Sequence, residues 1–209
     1  MRLQLWFRFQ TAVHHGTGYG LAGIVDRSVL RGTDGLPILS GAAIKGKMRH
    51  AASLIQRAKL GEEALCGPPE DAWCRDKKSP CLLCCVFGSP LIKGKAIFHD
   101  ATVIDAQGAI IRDYLEDRQI VFQSPGANVR ATTAMSRVLG RAESEHLFTS
   151  ETIAPEVIFE SSIEGPLDAD EQLLLTQSAK LLRQFGGGSG RGLGWCEVQV
   201  SATPEETQS

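Results

Sequence analysis

The sequence has no apolar run near the roughly 18 to 20 residues that a membrane-spanning helix needs. Its first residues alternate polar and apolar side chains, which is typical of a strand and not of a secretory signal peptide. It also has no internal repeat. We therefore expect a cytoplasmic protein with no membrane partner, built as a globular unit and not as a repeat array.

An excess of positive charge is also missing, since 22 Lys and Arg residues stand against 24 Asp and Glu residues. The distribution is uneven, however. Residues 1–60 hold nine basic and two acidic residues, whereas residues 140–209 hold four basic and twelve acidic ones. Such asymmetry lets one face attract phosphate while another repels it or meets a basic neighbour. The alternative is chance clustering on a solvated surface.

The pattern of apolar residues predicts an α+β domain. A composition of 43% hydrophobic and 22% charged residues is ordinary for a globular protein. Alternation and helical periodicity predict the order strand, helix, strand, strand, helix, strand, at about residues 2–13, 41–59, 96–104, 157–163, 168–185 and 195–200. This is the ferredoxin-like arrangement, with one sheet face covered by helices and the other left open as in RNA-recognition modules.

One domain over residues 1–209 is therefore expected, with long interruptions at 14–40, 61–95 and 106–150. Loops of this length inside a compact domain tend to be functional. The first interruption begins with a glycine-rich run that allows close backbone approach to a ligand; its candidate contacts are His14, His15, Gly16 and Gly18.

The start of the first predicted helix is a candidate phosphate site. Ser40 is a plausible N-cap, and the unpaired N–H groups and partial positive charge of a helix start suit an anion. The candidate contacts are Ser40, Gly41, Lys45, Lys47 and Arg49. The alternative is a capped, solvated amphipathic helix.

A second glycine run lies between the last helix and the last strand, with candidate contacts at Gly187, Gly188, Ser189 and Arg191. A nucleotide-binding fingerprint needs the order strand, glycines, helix. The order here is the reverse, which disfavours a Rossmann or P-loop site. The interpretation that fits is a flexible, donor-rich loop able to lie along a polynucleotide backbone; the alternative is a plain connector.

Five of the six cysteines lie between positions 66 and 85. In a protein expected to be cytoplasmic, such clustering indicates metal binding more than disulfides. Four thiolates suit a closed tetrahedral Zn²⁺ site that stabilises an insertion without its own core. The predicted ligands are Cys66, Cys74, Cys81 and Cys84, with Cys85 an alternative to Cys84. Buried, inert thiols are the competing interpretation.

Taken together, these segments resemble the RAMP superfamily of CRISPR proteins. The resemblance rests on the first glycine loop, the Gly-x-Pro-x-x-Ser-Gly-x-x-x-Lys-Gly-x-x-Arg stretch at 35–49, the Phe-Gly-Ser segment at 87–89 and the terminal glycine loop. More narrowly, the chain is similar to the repeated backbone subunit of type III effector complexes. The resemblance implies a ferredoxin-like core that binds guide RNA, packs beside related effector-complex subunits and meets complementary target RNA.

The resemblance also implies individual roles. Cutting members place an aspartate between the first strand and first helix, where this chain has Asp26. A hairpin thumb is implied at about 110–135, with Phe122, Gln123 and Arg130 as RNA contacts. Arg137 belongs to a further segment similar to the family, although the family usually has an acidic residue where this chain has Ser136.

The resemblance thus implies a metal-dependent endoribonuclease. Cutting RNA through its own 2′-hydroxyl requires in-line geometry and stabilisation of developing charge. Asp26 can hold Mg²⁺ or another divalent cation, or accept the 2′-OH proton. The alternatives are a non-cutting backbone subunit, a guide-precursor-processing endonuclease that uses His14 or His15, a zinc-bearing interaction protein unrelated to RNA, and, for Asp26, a turn residue paired with Arg27 or Arg31.

Overall fold

The computed structural model describes residues 2–20, 25–61, 66, 74, 79–104, 107, 127–155 and 157–203, with backbone alone for 143–145 and 203. The strands are β1 (Arg2–Phe9), β2 (Ile38–Leu39), β3 (Ile97–Phe98), β4 (Ala101–Val103), β5 (Ala127–Met135), β6 (Ala142–Ile153), β7 (Ile158–Glu164) and β8 (Cys196–Thr203). The helices are α1 (Gly41–Leu60), α2 (Leu82–Phe87) and α3 (Ala169–Leu181). No helix in the described part of the chain is both long and apolar enough to cross a membrane.

The main sheet has the predicted ferredoxin-like connectivity. Its strand order is β2-β4-β7-β1-β8, with β3 also paired to β7. Every pairing in it is antiparallel. The second predicted strand corresponds to β3 and β4, so the four predicted strands lie in the order second, third, first, fourth. The βαββαβ fold is therefore confirmed.

The core lies between this sheet and the helices α1 and α3, which contact each other and cover one sheet face. Strand β1 supplies every second residue to it, and Leu3, Leu5, Phe7 and Phe9 are all at most 1% exposed. Burying each large apolar side chain contributes roughly 1.5–3 kcal/mol. The alternation of apolar and polar residues in β1 thus explains why one face of this strand packs against the core.

The other face of the sheet carries carboxylates. Arg2, Gln4, Trp6 and Arg8 alternate with the core residues of β1, and their partners on β7 include Glu160 and Glu164. Gln4 donates a hydrogen bond to Glu160, and Arg2 lies 3.5 Å from Glu164. Because acidic and basic side chains are mixed on this face, it is a poor site for phosphate. The open sheet face therefore resembles that of an RNA-recognition module in position but not in charge.

Two helix starts are capped by side chains. In α1, Ser40 Oγ accepts from Ala43 N–H at 3.4 Å, and Asp100 Oδ1 accepts from Gly41 N–H at 2.7 Å. In α3, Asp168 and Glu171 form a reciprocal capping box. Lys95 Nζ lies 2.7 Å from Glu171 Oε1, which fastens the end of the cysteine segment to α3.

The structure differs from the sequence-based prediction in three elements. The second strand is broken at His99–Asp100, because Asp100 turns toward the start of α1. A short helix, α2, follows Cys81 within the cysteine segment. Within the interruption expected at about 106–150, where a thumb is implied at about 110–135, the long hairpin β5–β6 covers 127–153. The tail from residue 204 lies outside the described residues.

Candidate functional site

Asp26 lies on an exposed loop that is hydrogen-bonded to strand β6. The N–H groups of Asp26 and Arg27 both donate to Thr149 O at 3.1 Å. Thr149 in turn donates to Asp26 Oδ2 from its N–H at 2.7 Å and from its hydroxyl at 3.0 Å. These donors, first the backbone N–H and then the hydroxyl, together with the charge of Arg27, lower the pKa of the Asp26 carboxyl below its usual value.

The same loop is held by a buried acid, Glu151, whose exposure is 5%. Its Oε2 accepts from Val29 N–H at 2.8 Å, and its Oε1 lies 3.5 Å from Arg31. Its backbone N–H donates to Arg27 O at 2.9 Å, and its carbonyl is 2.7 Å from His14 Nδ1. Glu151 therefore joins the loop that carries Asp26 and the first glycine loop to the base of the hairpin.

Three arginines from three separate segments line one cavity, which we call the arginine cradle. Arg27 comes from the loop after Asp26, Arg130 from β5, and Arg191 from the terminal glycine loop. The cavity measures about 80 Å³, and its other lining residues are His14, Thr132, Ser150, Thr152, Gly187, Gly188 and Leu193. No acidic side chain lines it among the residues that the structure describes, so it suits an anion.

The cradle and Asp26 lie on opposite sides of strand β6. Arg27 is bridged to Ser150, and both line the cradle. Asp26 precedes Arg27, and Thr149 precedes Ser150. Successive side chains along an extended chain alternate in direction, so the hydrogen bond between Asp26 and Thr149 lies on the opposite side of β6.

A second cationic depression, the basic groove, runs along the start of α1 and measures about 680 Å³. Its cationic lining residues are Lys45, Arg49 and Lys93. Phe87 and Phe98 stack beside it with ring centroids 5.7 Å apart, and Arg49 donates a hydrogen bond to Gly88 O. The remaining lining residues are Gly41, Ala42, Ser89, Pro90, Ile92, Gly94, Ala96 and Ile97, so no residue is shared with the arginine cradle.

Several predicted contacts at the start of α1 lie elsewhere or are already engaged. Lys47 does not line the groove. The N–H groups of Gly41 and Ala43 are taken by Asp100 and Ser40. The first N–H groups of α1 are therefore not free to bind an anion as the sequence suggested. The cationic side chains that line the groove are Lys45, Arg49 and Lys93.

His14 and His15 have different surroundings. His14 lines the arginine cradle. His15 lines neither depression; its Nε2 accepts from Ser40 N–H at 3.1 Å, and its ring lies 5.4 Å from that of Phe185. Burial, and then the neighbouring His14, lower the pKa of His15. His15 is thus a neutral link between the first loop and α1.

The other predicted RNA contacts are distributed as follows. The terminal loop is fastened and not simply flexible, since Gly187 N–H donates to His14 O and Gly194 N–H to Ala12 O. Its Gly187, Gly188 and Arg191 reach the cradle, whereas Gly16, Gly18 and Ser189 do not line it. Arg137 lies in the exposed turn of the hairpin. Phe122 and Gln123 lie outside the described residues.

The four predicted cysteine ligands come together. The sulfur atoms of Cys66, Cys74, Cys81 and Cys84 all lie within 4.8 Å of one another. Tetrahedral Zn²⁺ with bonds of about 2.3 Å would place its sulfurs about 3.8 Å apart. The sulfurs of Cys66 and Cys74 lie 2.9 Å apart and would separate slightly, while the more distant pairs would come closer. Cys85 is not in the cluster, and its sulfur is directed to Pro80 O at 3.6 Å. The cluster can hold a metal ion.

The thiols of the cluster affect one another. Burial, then neighbouring sulfurs, raise the pKa of Cys66, and burial raises the pKa of Cys81 to about 11. Burial opposes ionisation of Cys74 too, but hydrogen bonds from Cys66 and Cys81 lower its pKa. Metal binding requires thiolates, so a bound cation would supply the charge that stabilises them.

Several residues of these sites were not predicted from the sequence, and four of them are central to the arrangement. Arg27 enters the sequence analysis only as a possible partner for Asp26, and Lys93 lies four residues beyond the Phe-Gly-Ser segment, which gives no hint of it. Thr149 and Glu151 lie 123 and 122 residues from the groups they hold, Asp26 and Val29. No local sequence signal marks such distant pairs.

Comparisons with known proteins agree with this architecture. The family model of the RAMP superfamily matches residues 6–197. A chain of a type III-B Cmr-beta complex bound to cognate target RNA has a TM-score of 0.65 at 12% identity, with 96% of this chain and 97% of that chain covered. The corresponding apo complex gives 0.65 at 13%, again over 96% and 97% of the two chains.

A chain of a type IV-B CRISPR complex gives a TM-score of 0.63 at 17% identity, with 100% of this chain and 94% of that chain covered. No curated protein matches the sequence significantly. At these identities the solved structures show the fold, whereas the family model spans most of the chain. This protein belongs to the RAMP superfamily.

Proposed function

We propose that this protein is a guide-RNA-binding backbone subunit of a type III CRISPR effector complex and that it cuts complementary target RNA at Asp26. Family membership and the likeness to chains of CRISPR complexes, one of them bound to target RNA, support the setting. The observation that carries the proposal is Asp26 itself. Its carboxylate is exposed, held by Thr149 at the base of a long hairpin, and next in sequence to an arginine of the cradle.

The surroundings of Asp26 favour an ionic role for its carboxylate. In cleavage through the RNA 2′-hydroxyl, the hydroxyl loses its proton to water, the 2′-oxygen bonds to phosphorus, and the bond from phosphorus to the 5′-oxygen breaks. The 5′-oxygen takes a proton from water, and negative charge develops on it and on the phosphate oxygens during the step. A carboxyl whose pKa is lowered is a weak proton acceptor. Asp26 is therefore better suited to holding a cation beside the phosphate than to acting as the general base.

Mg²⁺ fits this environment only with help from the RNA. Mg²⁺ is commonly bound by one or two carboxylates together with substrate phosphates. Asp26 offers Oδ1, which receives no hydrogen bond from any residue that the structure describes, while Oδ2 is engaged by Thr149. The carboxylate would hold the ion, and the bound ion would supply positive charge to the scissile phosphate.

Guide RNA is assigned to the basic groove. Lys45, Arg49 and Lys93 provide three positive charges along an open depression, and the stacked Phe87 and Phe98 close one side. Contacts of this kind bind phosphate without reading sequence. Sequence specificity then comes from base pairing between guide and target, and other subunits of the complex pack beside the chain.

Zn²⁺ is the metal that we assign to the four cysteines. The donor set of four thiolates within 4.8 Å matches a closed structural site, which leaves no position for substrate. Its role is to fold the segment that leads from α1 to α2 and thereby to support the Phe87–Gly94 wall of the basic groove.

The test is to purify the full chain, in its complex, and to sequence the RNA that accompanies it. Cleavage of the complementary RNA is then measured with and without Mg²⁺ for the natural protein, for Asp26→Asn and for Asp170→Asn. Asp170 is an exposed acid in the first turn of α3 and serves as the matched control. We expect Asp26→Asn to retain guide and bind target while losing cleavage, and Asp170→Asn to cleave normally.

Normal cleavage by Asp26→Asn would refute the catalytic role of Asp26. If the natural protein binds target RNA but does not cut it, the chain is a subunit that organises RNA without cleaving it. A processing endonuclease would instead cut the guide precursor. His14 is the residue to substitute for that alternative, since Nε2 of His15 is already bonded to Ser40. Absence of any accompanying small RNA would refute the RNA-binding function altogether.

A further inference from the structure

We infer that the arginine cradle binds a backbone phosphate of the RNA strand that is cut, at a site separate from the one that binds the guide. This inference rests on the proposed function and adds the site that receives the target strand. It is carried by the convergence of Arg27, Arg130 and Arg191 on one cavity beside the loop of Asp26.

The chemistry of the cradle is that of an anion site. None of the three arginines forms an ion pair with a residue in the described part of the chain, and no acidic side chain lines the cavity. Ser150 adds a hydroxyl beside the guanidinium groups, whereas the hydroxyls of Thr132 and Thr152 donate to Phe148 O and Asn128 O, both at 3.4 Å. Guanidinium groups bind phosphate oxygens through two parallel hydrogen bonds, which makes phosphate the matching ligand.

The size of the cavity favours one phosphate over a nucleobase or a long stretch of strand. The cradle measures about 80 Å³, against about 680 Å³ for the basic groove. Glycines at 187 and 188 remove side chains from one wall, so a backbone can approach closely there. The two depressions therefore differ in what they can accept, although both are cationic.

The position of the cradle next to the Asp26 loop is what assigns it to the cut strand and not to the guide. Arg27 follows Asp26 directly, and the N–H groups of both donate to the same oxygen of Thr149. The basic groove includes no residue of the loop from 25 to 31. In this inference the strand whose phosphate lies in the cradle crosses β6 at Asp26 and Arg27, which brings a neighbouring sugar–phosphate unit to the carboxylate.

The experiment uses the full chain in its complex, in an Asp26→Asn background that keeps the target intact. Arg130→Ala with Arg191→Ala is compared with a charge-matched control, Lys59→Ala with Lys180→Ala. Lys59 and Lys180 are exposed and line neither depression. Guide content is measured from the RNA that copurifies, and affinity for labelled complementary RNA is measured over a series of salt concentrations.

We expect the cradle variant to keep its guide and to bind target at least about tenfold more weakly, while the control binds normally. The slope of log affinity against log salt should become shallower by about 0.7 for each phosphate of a single strand that the variant no longer neutralises. Replacement of both arginines by lysine, which keeps the charge, should restore part of the affinity.

Two results would overturn the inference. Unchanged target binding would mean that the cradle holds no RNA, and a loss of guide would mean that it holds the other strand. In both cases the proposed function still holds if the natural protein, with Asp26 unchanged, binds guide and cuts target. Failure of the natural protein itself to bind target would instead remove the proposed function.

Discussion

Thr149 donates two hydrogen bonds to a single oxygen of Asp26. Its backbone N–H lies 2.7 Å and its hydroxyl 3.0 Å from Oδ2. The carboxylate is thereby held in one orientation although the side chain is exposed to solvent. Its second oxygen stays available for a cation or for RNA, which gives Thr149 the role of a positioning residue.

Replacing Thr149 by valine should reduce cleavage without reducing RNA binding. The substitution removes the hydroxyl but keeps the backbone N–H, so Asp26 loses one of two constraints. Because a less firmly oriented carboxylate spends less time in the productive geometry, we expect a rate loss of about tenfold. The measurement is the single-turnover rate of target cleavage by the guide-loaded complex, with the guide content determined in parallel. Thr149→Ser, which keeps the hydroxyl, is the control, and equal rates for valine and serine would contradict the positioning role.

Replacing Cys84 by serine should remove the metal and destabilise the protein, whereas Cys85→Ser should do neither. Cys84 is fully buried in the four-sulfur cluster, while Cys85 is directed to Pro80 O. A closed zinc site stabilises the fold directly. The measurements are metal content by elemental analysis, expected at one zinc ion per natural chain, and the thermal unfolding midpoint. Loss of zinc in Cys85→Ser with retention in Cys84→Ser would reverse the ligand assignment.

The sequence allowed the core of the fold to be predicted because one face of each element is buried. The alternation of Leu3, Leu5, Phe7 and Phe9 reports a strand covered on one side, and the cysteine spacing anticipated the cluster. The choice between Cys84 and Cys85 needed α2, since a short helix decides which of two adjacent thiols turns inward.

The hairpin β5–β6 could not be located in the same way. Both of its faces meet solvent over most of its length, with Val129 and Leu147 exposed by 55% and 60%. A strand without a buried side carries no alternation to detect. The arginine cradle was equally hidden, because Arg27, Arg130 and Arg191 come from distant segments that only the folded chain brings together.

The groove assignment predicts a contrast between neighbouring lysines on α1. Lys45→Ala combined with Lys93→Ala should lower the amount of guide RNA that copurifies, because both side chains line the basic groove. Lys47→Ala should leave it unchanged, since Lys47 lies two residues along the helix and does not face the groove. The measurement is RNA per mole of protein and guide affinity at two salt concentrations, and the difference in affinity from the natural protein should shrink as salt rises, because salt weakens the phosphate contacts that the variant lacks. A larger effect from Lys47→Ala would move the guide to a different face of α1.

Two glycines of the terminal loop, Gly194 and Gly190, should differ in how well they tolerate replacement by alanine. Gly194 has φ of 76°, and a Cβ there would overlap the carbonyl oxygen of Phe185. Its N–H donates to Ala12 O and its O accepts from Phe185 N–H, both at 2.9 Å, so the loop has little freedom to move away. Gly190 lies in a 3₁₀ turn, and a Cβ there meets nothing within 4 Å.

Gly194→Ala should therefore destabilise the protein by at least about 2 kcal/mol, since the left-handed conformation alone costs an ordinary residue roughly 1–2 kcal/mol. For a chain of this size that corresponds to a fall of roughly 4–8 °C in the unfolding midpoint. Gly190→Ala should leave the midpoint unchanged or raise it slightly, because alanine has fewer unfolded conformations to lose. Thermal unfolding of both variants checks the contrast. Equal midpoints would mean that the loop rearranges freely, and in that case it could not hold Arg191 in the cradle.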